Sequence, residues 1–226
     1  MSDVNQAAEL SIGDVIEYNQ DDFWIEGTLL IKYYGKDANV IIPEGVTVIG
    51  DYCFGSMTEI ESVKMPDSVV EIKAFAFTRC SKLKKLEISK NLKIIGREAF
   101  SYCEILDSVT LPNGVTSIRE NVFYACYRLK TLIMPDTVTE IGSYLCWYCT
   151  ELQRVKLSNK IKAIPYAAFG YCSKLQFVYL PDGVDSVGGY GFTNCKNLER
   201  IATSKGFGNL KCGDHAFDEC PKLLKV

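Results

Sequence analysis

Apolar side chains recur along this chain with one period. Phe54, Phe77, Phe100, Phe123, Phe169 and Phe192 fall on a 23-residue step, and Cys146 fills the slot between Phe123 and Phe169. Three places later the same step carries Cys80, Cys103, Cys126, Cys149, Cys172 and Cys195, with Met57 in the first copy. Leu83, Leu106, Leu129, Leu152, Leu175 and Leu198 form another column. So do Val63, Leu86, Val109, Leu132, Val155, Val178 and Ile201, and so do Ile49, Ile72, Ile95, Ile118, Ile141, Ile164 and Val187. The last copy, with Phe217 and Cys220, lies 25 residues on, so two residues are inserted there. One such unit cannot bury its own apolar side chains. Stacked copies bury each column against the same column of their neighbours.

The spacing inside a unit predicts its elements. Leu86 and Ile88 are two apart, the alternation of a short strand with inward-facing side chains, and stacked copies make a parallel sheet. Proline cannot donate a ladder hydrogen bond. Pro43, Pro66, Pro112, Pro135 and Pro181, which share a column with Ser89, Ser158 and Ser204, therefore mark strand ends. Runs such as Val115–Ile118 predict a second short extended stretch. The Ala99–Cys103 segment is predicted as a helical or 3₁₀ turn that plugs Phe100 into the core.

Residues 1–41 fall outside the period. Leu29–Tyr34 and Asn39–Ile42 read as strands around a turn at Gly35–Asp37. Phe23 and Trp24 are candidates to cover the first rung, because an end rung exposes apolar surface. The predicted organisation is an N-terminal capping segment over 1–41 and a solenoid of about eight rungs over 42–226, the last irregular. The chain stops at Val226, where a further strand would begin, so the last rung is expected to be exposed or covered by something else.

The consensus LxxVxLPxxVxxIgxxAFxxC resembles the BspA-like subtype of the leucine-rich repeat superfamily. The segments LPNGVTSIRENVFYACYRL (111–129) and LPDGVDSVGGYGFTNCKNL (180–198) carry that resemblance closely, and it extends over about residues 42–226. It implies a leucine-rich repeat solenoid: a right-handed coil of 23-residue rungs with a parallel β-sheet on one face, short extended or 3₁₀ turns on the other, and a β-rich N-terminal cap. It also implies a surface or secreted adhesion or host-interaction module. The departures are Cys146 in the phenylalanine column, the three serines in the proline column, and the irregular stretch 201–226.

Composition trims the alternatives. Hydrophobic residues at 47% and charged residues at 23% of 226 allow a sizeable core and argue against wholesale disorder. No run approaches the roughly 18 apolar residues of a membrane span. The net charge of −3 and pI near 5.4 argue against a nucleic-acid binder. The first 41 residues hold eight acids and two bases, a composition distinct from the rest. Met1–Leu10 lacks a basic then apolar leader, which with a reduced cysteine column suits the cytoplasm. The family resemblance points instead to the cell surface, and the two readings stay open.

The chemistry-bearing residues follow the repeat. Cys80, Cys103, Cys126, Cys149, Cys172, Cys195 and Cys220 are seven members of one column. Neighbours one rung apart lie near disulfide range, but seven cannot pair fully and parallel side chains do not face each other. A buried, reduced structural ladder is the favoured reading. Cys146-Trp147-Tyr148-Cys149 is formally a CxxC motif, yet both cysteines occupy core columns. A ladder spreads thiols along a line, so no tetrahedral zinc site is expected. His215 is the single histidine, and GxSxG, P-loop and GxGxxG elements are absent. No catalytic residue, metal or cofactor is implied.

What remains is the outward surface of the sheet. The positions flanking each inward strand residue are small or mixed in charge in the early rungs. Later they place Ile133, Phe177 and Tyr179 among Arg154, Lys156 and Arg200. Exposed aromatics beside arginine are what interface hot spots favour, and these six are the candidate partner-binding residues. A second aromatic group, Tyr102, Tyr124, Tyr127, Trp147, Tyr148 and Tyr171, reads as lateral packing between rungs, with saccharide stacking as the functional alternative. The expected function is a non-catalytic protein-binding scaffold engaging a protein partner, as a monomer or weak dimer, without nucleic acid or membrane insertion. The alternative is a structural spacer or assembly module of a larger protein.

Overall fold

The computed structural model describes residues 20–224. Residues 1–19 of the predicted cap and the last two, including Val226, lie outside the described residues. Each repeat folds as one turn of a solenoid with three faces. The first face is built from three-residue strands that pair in parallel at the 23-residue step, so that Leu132 stands opposite both Val109 and Val155. The middle residue of each points inward; Val63, Val109, Leu132 and Val178 are buried and their flanking neighbours are more exposed. Pairing continues to the residue before the proline, where Leu111 and Met134 donate to Ile133 and Lys156 of the next rung. Pro112 and Pro135 then end it, as their missing N–H requires. The second face holds two-residue strands in the same register, with Ser117–Ile118 between Ile94–Ile95 and Glu140–Ile141.

The third face differs from the sequence expectation. The segment around Phe100 contains no helical residue. It is a pair of tight turns with left-handed residues four apart, Glu98 (φ 54°) and Tyr102 (φ 57°), and the pair recurs in every rung from Tyr52 and Ser56 to His215 and Glu219. A left-handed L-residue costs roughly 1–2 kcal/mol. The compensation is a ladder between rungs. Phe77, Phe100 and Phe123 donate their N–H groups to Ala99, Val122 and Leu145 at 2.8–3.0 Å, and the two flanking left-handed residues do the same. Three such bonds form at every junction from Tyr52 to Asp218 without interruption.

This backbone geometry drives the phenylalanine column into the centre. Phe54, Phe77, Phe100 and Phe123 are fully buried and stack nearly parallel, with centroids 4.7, 5.3 and 5.9 Å apart. Cys146 interrupts the stack, which resumes through Phe169, Phe192 and Phe217. The cysteine column has a specific partner. The thiols of Cys80, Cys103, Cys126, Cys149 and Cys195 each donate to the backbone carbonyl of the phenylalanine 26 residues earlier, at 3.1–3.3 Å, and Cys172 does so to Cys146. These six are buried thiols. A donor of this size suits the site: alanine has no S–H, and larger residues would overfill the space.

At the N-terminal end Phe23–Glu26 and Leu29–Tyr33 form an antiparallel hairpin, with Gly27 at φ 62° supplying the turn. Leu29–Leu30 then pairs with Val48–Ile49. Tyr33 bridges Phe23 and Phe54, with centroids 4.8 and 5.3 Å away, so Phe23 extends the aromatic stack. Trp24 does not: alternation along the strand points it outward, and it is 47% exposed. Asn39–Ile41 already stands in the repeat register, paired with Ser62–Lys64.

Both sheets are interrupted. On the first face, Lys85–Glu87 is not hydrogen-bonded to Ser108–Thr110, nor Arg154–Lys156 to Phe177–Tyr179. On the second, Glu140–Ile141 and Ala163–Ile164 belong to different sheets. There Pro165 occupies the position from which Arg119 and Gly188 donate to the preceding rung, and proline has no N–H to give.

Candidate functional site

The second interruption of the first face coincides with the candidate partner-binding residues. Arg154 and Lys156 flank buried Val155 on one strand; Phe177 and Tyr179 flank buried Val178 on the next. With no ladder between those strands, a cleft of about 410 Å³ opens, lined by all four side chains together with Gln153 and Asn159. Phe177 and Tyr179 are half exposed, at 49% and 50%. The Tyr179 hydroxyl donates to Asp182 Oδ1 at 3.4 Å. Arg200 lies opposite Phe177 and is exposed; Ile133 lies opposite Lys156 and is half-buried. The structure thus gathers four of the six residues around one depression and leaves Ile133 and Arg200 on the strands to either side.

The charge at this site is uncompensated. Among the described residues, Arg154, Lys156 and Arg200 form no ion pair. The first interruption is different. A cleft of about 220 Å³ beside it is lined by Lys84, Ile105, Asp107, Arg128 and Lys130, and Lys130 is paired with Asp107 at 2.5 Å across the intact junction that follows. That contact holds the Asp107 carboxyl below its ordinary range. The first breach is flanked by Lys85, Glu87, Ser108 and Thr110, while the second presents aromatic rings and unpaired cations to solvent.

The CxxC cysteines are core residues. Cys146 and Cys149 are fully buried, and burial pushes the Cys146 thiol well above its usual range, reinforced by a hydrogen bond with Cys149. Redox-active CxxC thiols are shifted the other way.

The second aromatic group is on the turn face. Tyr102 meets Tyr124 at 5.4 Å, Trp147 meets Tyr171 at 5.0 Å and Tyr148 meets Tyr171 at 4.5 Å; Tyr127 makes none of these ring contacts. Sequence reasoning missed that Tyr144, Tyr166, Tyr190 and His215 continue the group. The 23-residue arithmetic would have flagged two of them, since Tyr144 and Tyr190 are two periods apart.

Stacked parallel rungs, an inward aliphatic column and an exposed strand face define a leucine-rich repeat scaffold. The model of the BspA type leucine rich repeat region matches residues 33–153 and 139–226, with six copies, and the chain belongs to that family. A leucine-rich repeat protein of T. pallidum is similar in structure, with a TM-score of 0.74 and 28% identity over 80% of this chain and 90% of that one. One from Bacteroides ovatus shares the fold at a TM-score of 0.68 and 23% identity over 92% of this chain and 67% of that one. No curated protein matches the chain. Repeat solenoids of this kind are generally non-catalytic interaction scaffolds. Among the described residues, no helix is long and apolar enough to cross a membrane.

Proposed function

We propose that this protein is a non-catalytic scaffold that binds a protein partner, in an adhesion-type contact, through the C-terminal half of its first face. The observation that carries this reading is the cleft between Arg154–Lys156 and Phe177–Tyr179, where two half-exposed rings adjoin cations that have no partner. Rings of this kind supply contact area at low entropic cost, and unpaired cations favour an acidic partner surface. The test is the double variant Phe177→Ala/Tyr179→Ala. Its melting temperature should match the parent, because both rings are half in solvent. Affinity for a protein captured by the parent should fall by about 30-fold or more, the effect of losing one hot spot of roughly 2 kcal/mol. Undiminished binding by a folded double variant would move the partner site elsewhere and favour a spacer or assembly role.

A further inference from the structure

We propose that the aromatic cleft on the turn face is a binding site for a neutral oligosaccharide, separate from the protein-binding face. The cleft has a volume of about 400 Å³ and lies among the last described rungs. Trp147 forms its floor. Its indole folds over Gly170, where an added Cβ would collide with Trp147 Cζ3. The site is thus shaped by the absence of a side chain one repeat after the tryptophan. Tyr144, Tyr166 and Tyr190 form a wall of rings 5.4 and 5.6 Å apart, each turned about 70° from the next. Tyr166 is 44% exposed. Burial, and a hydrogen bond in which the Tyr144 hydroxyl donates to Tyr166, push the Tyr144 hydroxyl above its ordinary range.

The far end of the cleft is polar and holds Thr193, Asn194, Asp218 and Glu219. Asp218 is paired with His215 at 2.6 Å. Among the described residues, the side chains of Asn194 and Glu219 form no hydrogen bond or ion pair, so an amide and a carboxylate stand ready for a ligand. No lysine or arginine lines the cleft. Two carboxylates without a cation disfavour phosphates, uronates and sialylated chains. A pyranose offers what the lining lacks: an apolar C–H face for the rings, and hydroxyls that both donate and accept. The aromatic wall spans three rungs and the polar end a fourth, about 14 Å at roughly 4.8 Å per rung. That length suits a short oligomer better than a single ring or a compact organic cation.

The chain has two tryptophans, and Trp24 is exposed at the opposite end, so Trp24→Phe leaves Trp147 as the sole indole reporter. This protein would be titrated with cellohexaose, laminarihexaose, chitohexaose and mannohexaose while its emission is followed. At least one should give a saturable change. Tyr166→Ala and, separately, Glu219→Gln should each weaken that binding roughly tenfold with an unchanged melting curve, and Phe177→Ala/Tyr179→Ala should leave it intact. Glu219 is exposed, so its variant remains informative if Tyr166→Ala is poorly folded. Four outcomes overturn the proposal: no response to any neutral hexaose up to about 10 mM, a response only to tetramethylammonium, a stronger response to an oligouronate, or full affinity in Glu219→Gln and in folded Tyr166→Ala.

Discussion

The buried thiols make the solenoid sensitive to alkali in a way that can be calculated. Burial pushes Cys53 and Cys80 from an ordinary value of 9.0 to about 12. It holds Cys103, Cys126, Cys146, Cys172 and Cys195 well above 9.0. In the unfolded chain these thiols ionise near 9.0, while the folded chain keeps their protons. A raised folded value means that the stabilisation is complete below the unfolded value and disappears as pH climbs toward the folded one. The window therefore opens near pH 9 and extends to about 12. One unit into it, at about pH 10, each thiol has cost about 1.4 kcal/mol. The seven together cost on the order of 10 kcal/mol, comparable to the whole stability of a typical domain. Urea unfolding followed by circular dichroism, under reductant and from about pH 7 to 10, should show a flat region and then a steep fall. Ordinary tyrosines have their midpoint near 10, so they add to the fall only at the upper end of this range. In Cys103→Ala/Cys126→Ala the neutral-pH stability should drop, while the alkaline slope should flatten by a quarter or more, since two of the seven thiols are gone. A wild-type slope in that variant would refute the reasoning. So would thiolate absorbance equivalent to several of these seven buried thiols appearing in the folded protein near pH 9.

Other consequences are open to direct measurement. Phe100→Ala removes a fully buried ring from the middle of the stack and should cost about 3–5 kcal/mol in urea unfolding; a loss below about 1 kcal/mol would deny the stack its structural role. Phe23→Ala should destabilise the N-terminal end by about 2–4 kcal/mol, whereas Trp24→Ala should fall within about 0.5 kcal/mol of wild type; the reverse order would invert the assignment of the cap. In native-state hydrogen exchange the amides of Phe77, Phe100 and Phe123 should outlast those of Leu157 and Phe177, which border the interrupted ladder; equal protection would mean the interruption closes in solution.

The columns that decide the fold were legible because stacking makes each inward position repeat its chemistry: Phe54, Phe77, Phe100 and Phe123 each stack on members of their own column, so the same residue suits each slot. The outward strand positions were legible for the same reason, since alternation about Val155 and Val178 sends Arg154, Lys156, Phe177 and Tyr179 to the surface. The turn geometry was not. Left-handed positions are usually signalled by glycine or asparagine, but here they hold Tyr102, Ala125, Tyr148 and Tyr171, because hydrogen bonds from neighbouring rungs impose the conformation. Nor was the cleft legible. The break between Arg154–Lys156 and Phe177–Tyr179 depends on how neighbouring rungs separate, which no spacing within one rung encodes. The break on the second face did leave a trace in Pro165, which lies outside the proline column.

The turn-face ladder has a direction. Every one of its inter-rung bonds runs from an N–H to a carbonyl nearer the C-terminus, so the peptide dipoles add along the stack rather than cancelling as they do between neighbouring strands of a sheet. The solenoid is consequently polarised along its axis, with the sense opposite to an α-helix: amide hydrogens point toward its C-terminal end and carbonyl oxygens toward its N-terminal end. Two copies meeting end to end along this face match donors to acceptors only head to tail. A two-fold symmetric joint would set like groups against each other. Any assembly propagated through this ladder is therefore polar, a head-to-tail ring or filament rather than a two-fold dimer.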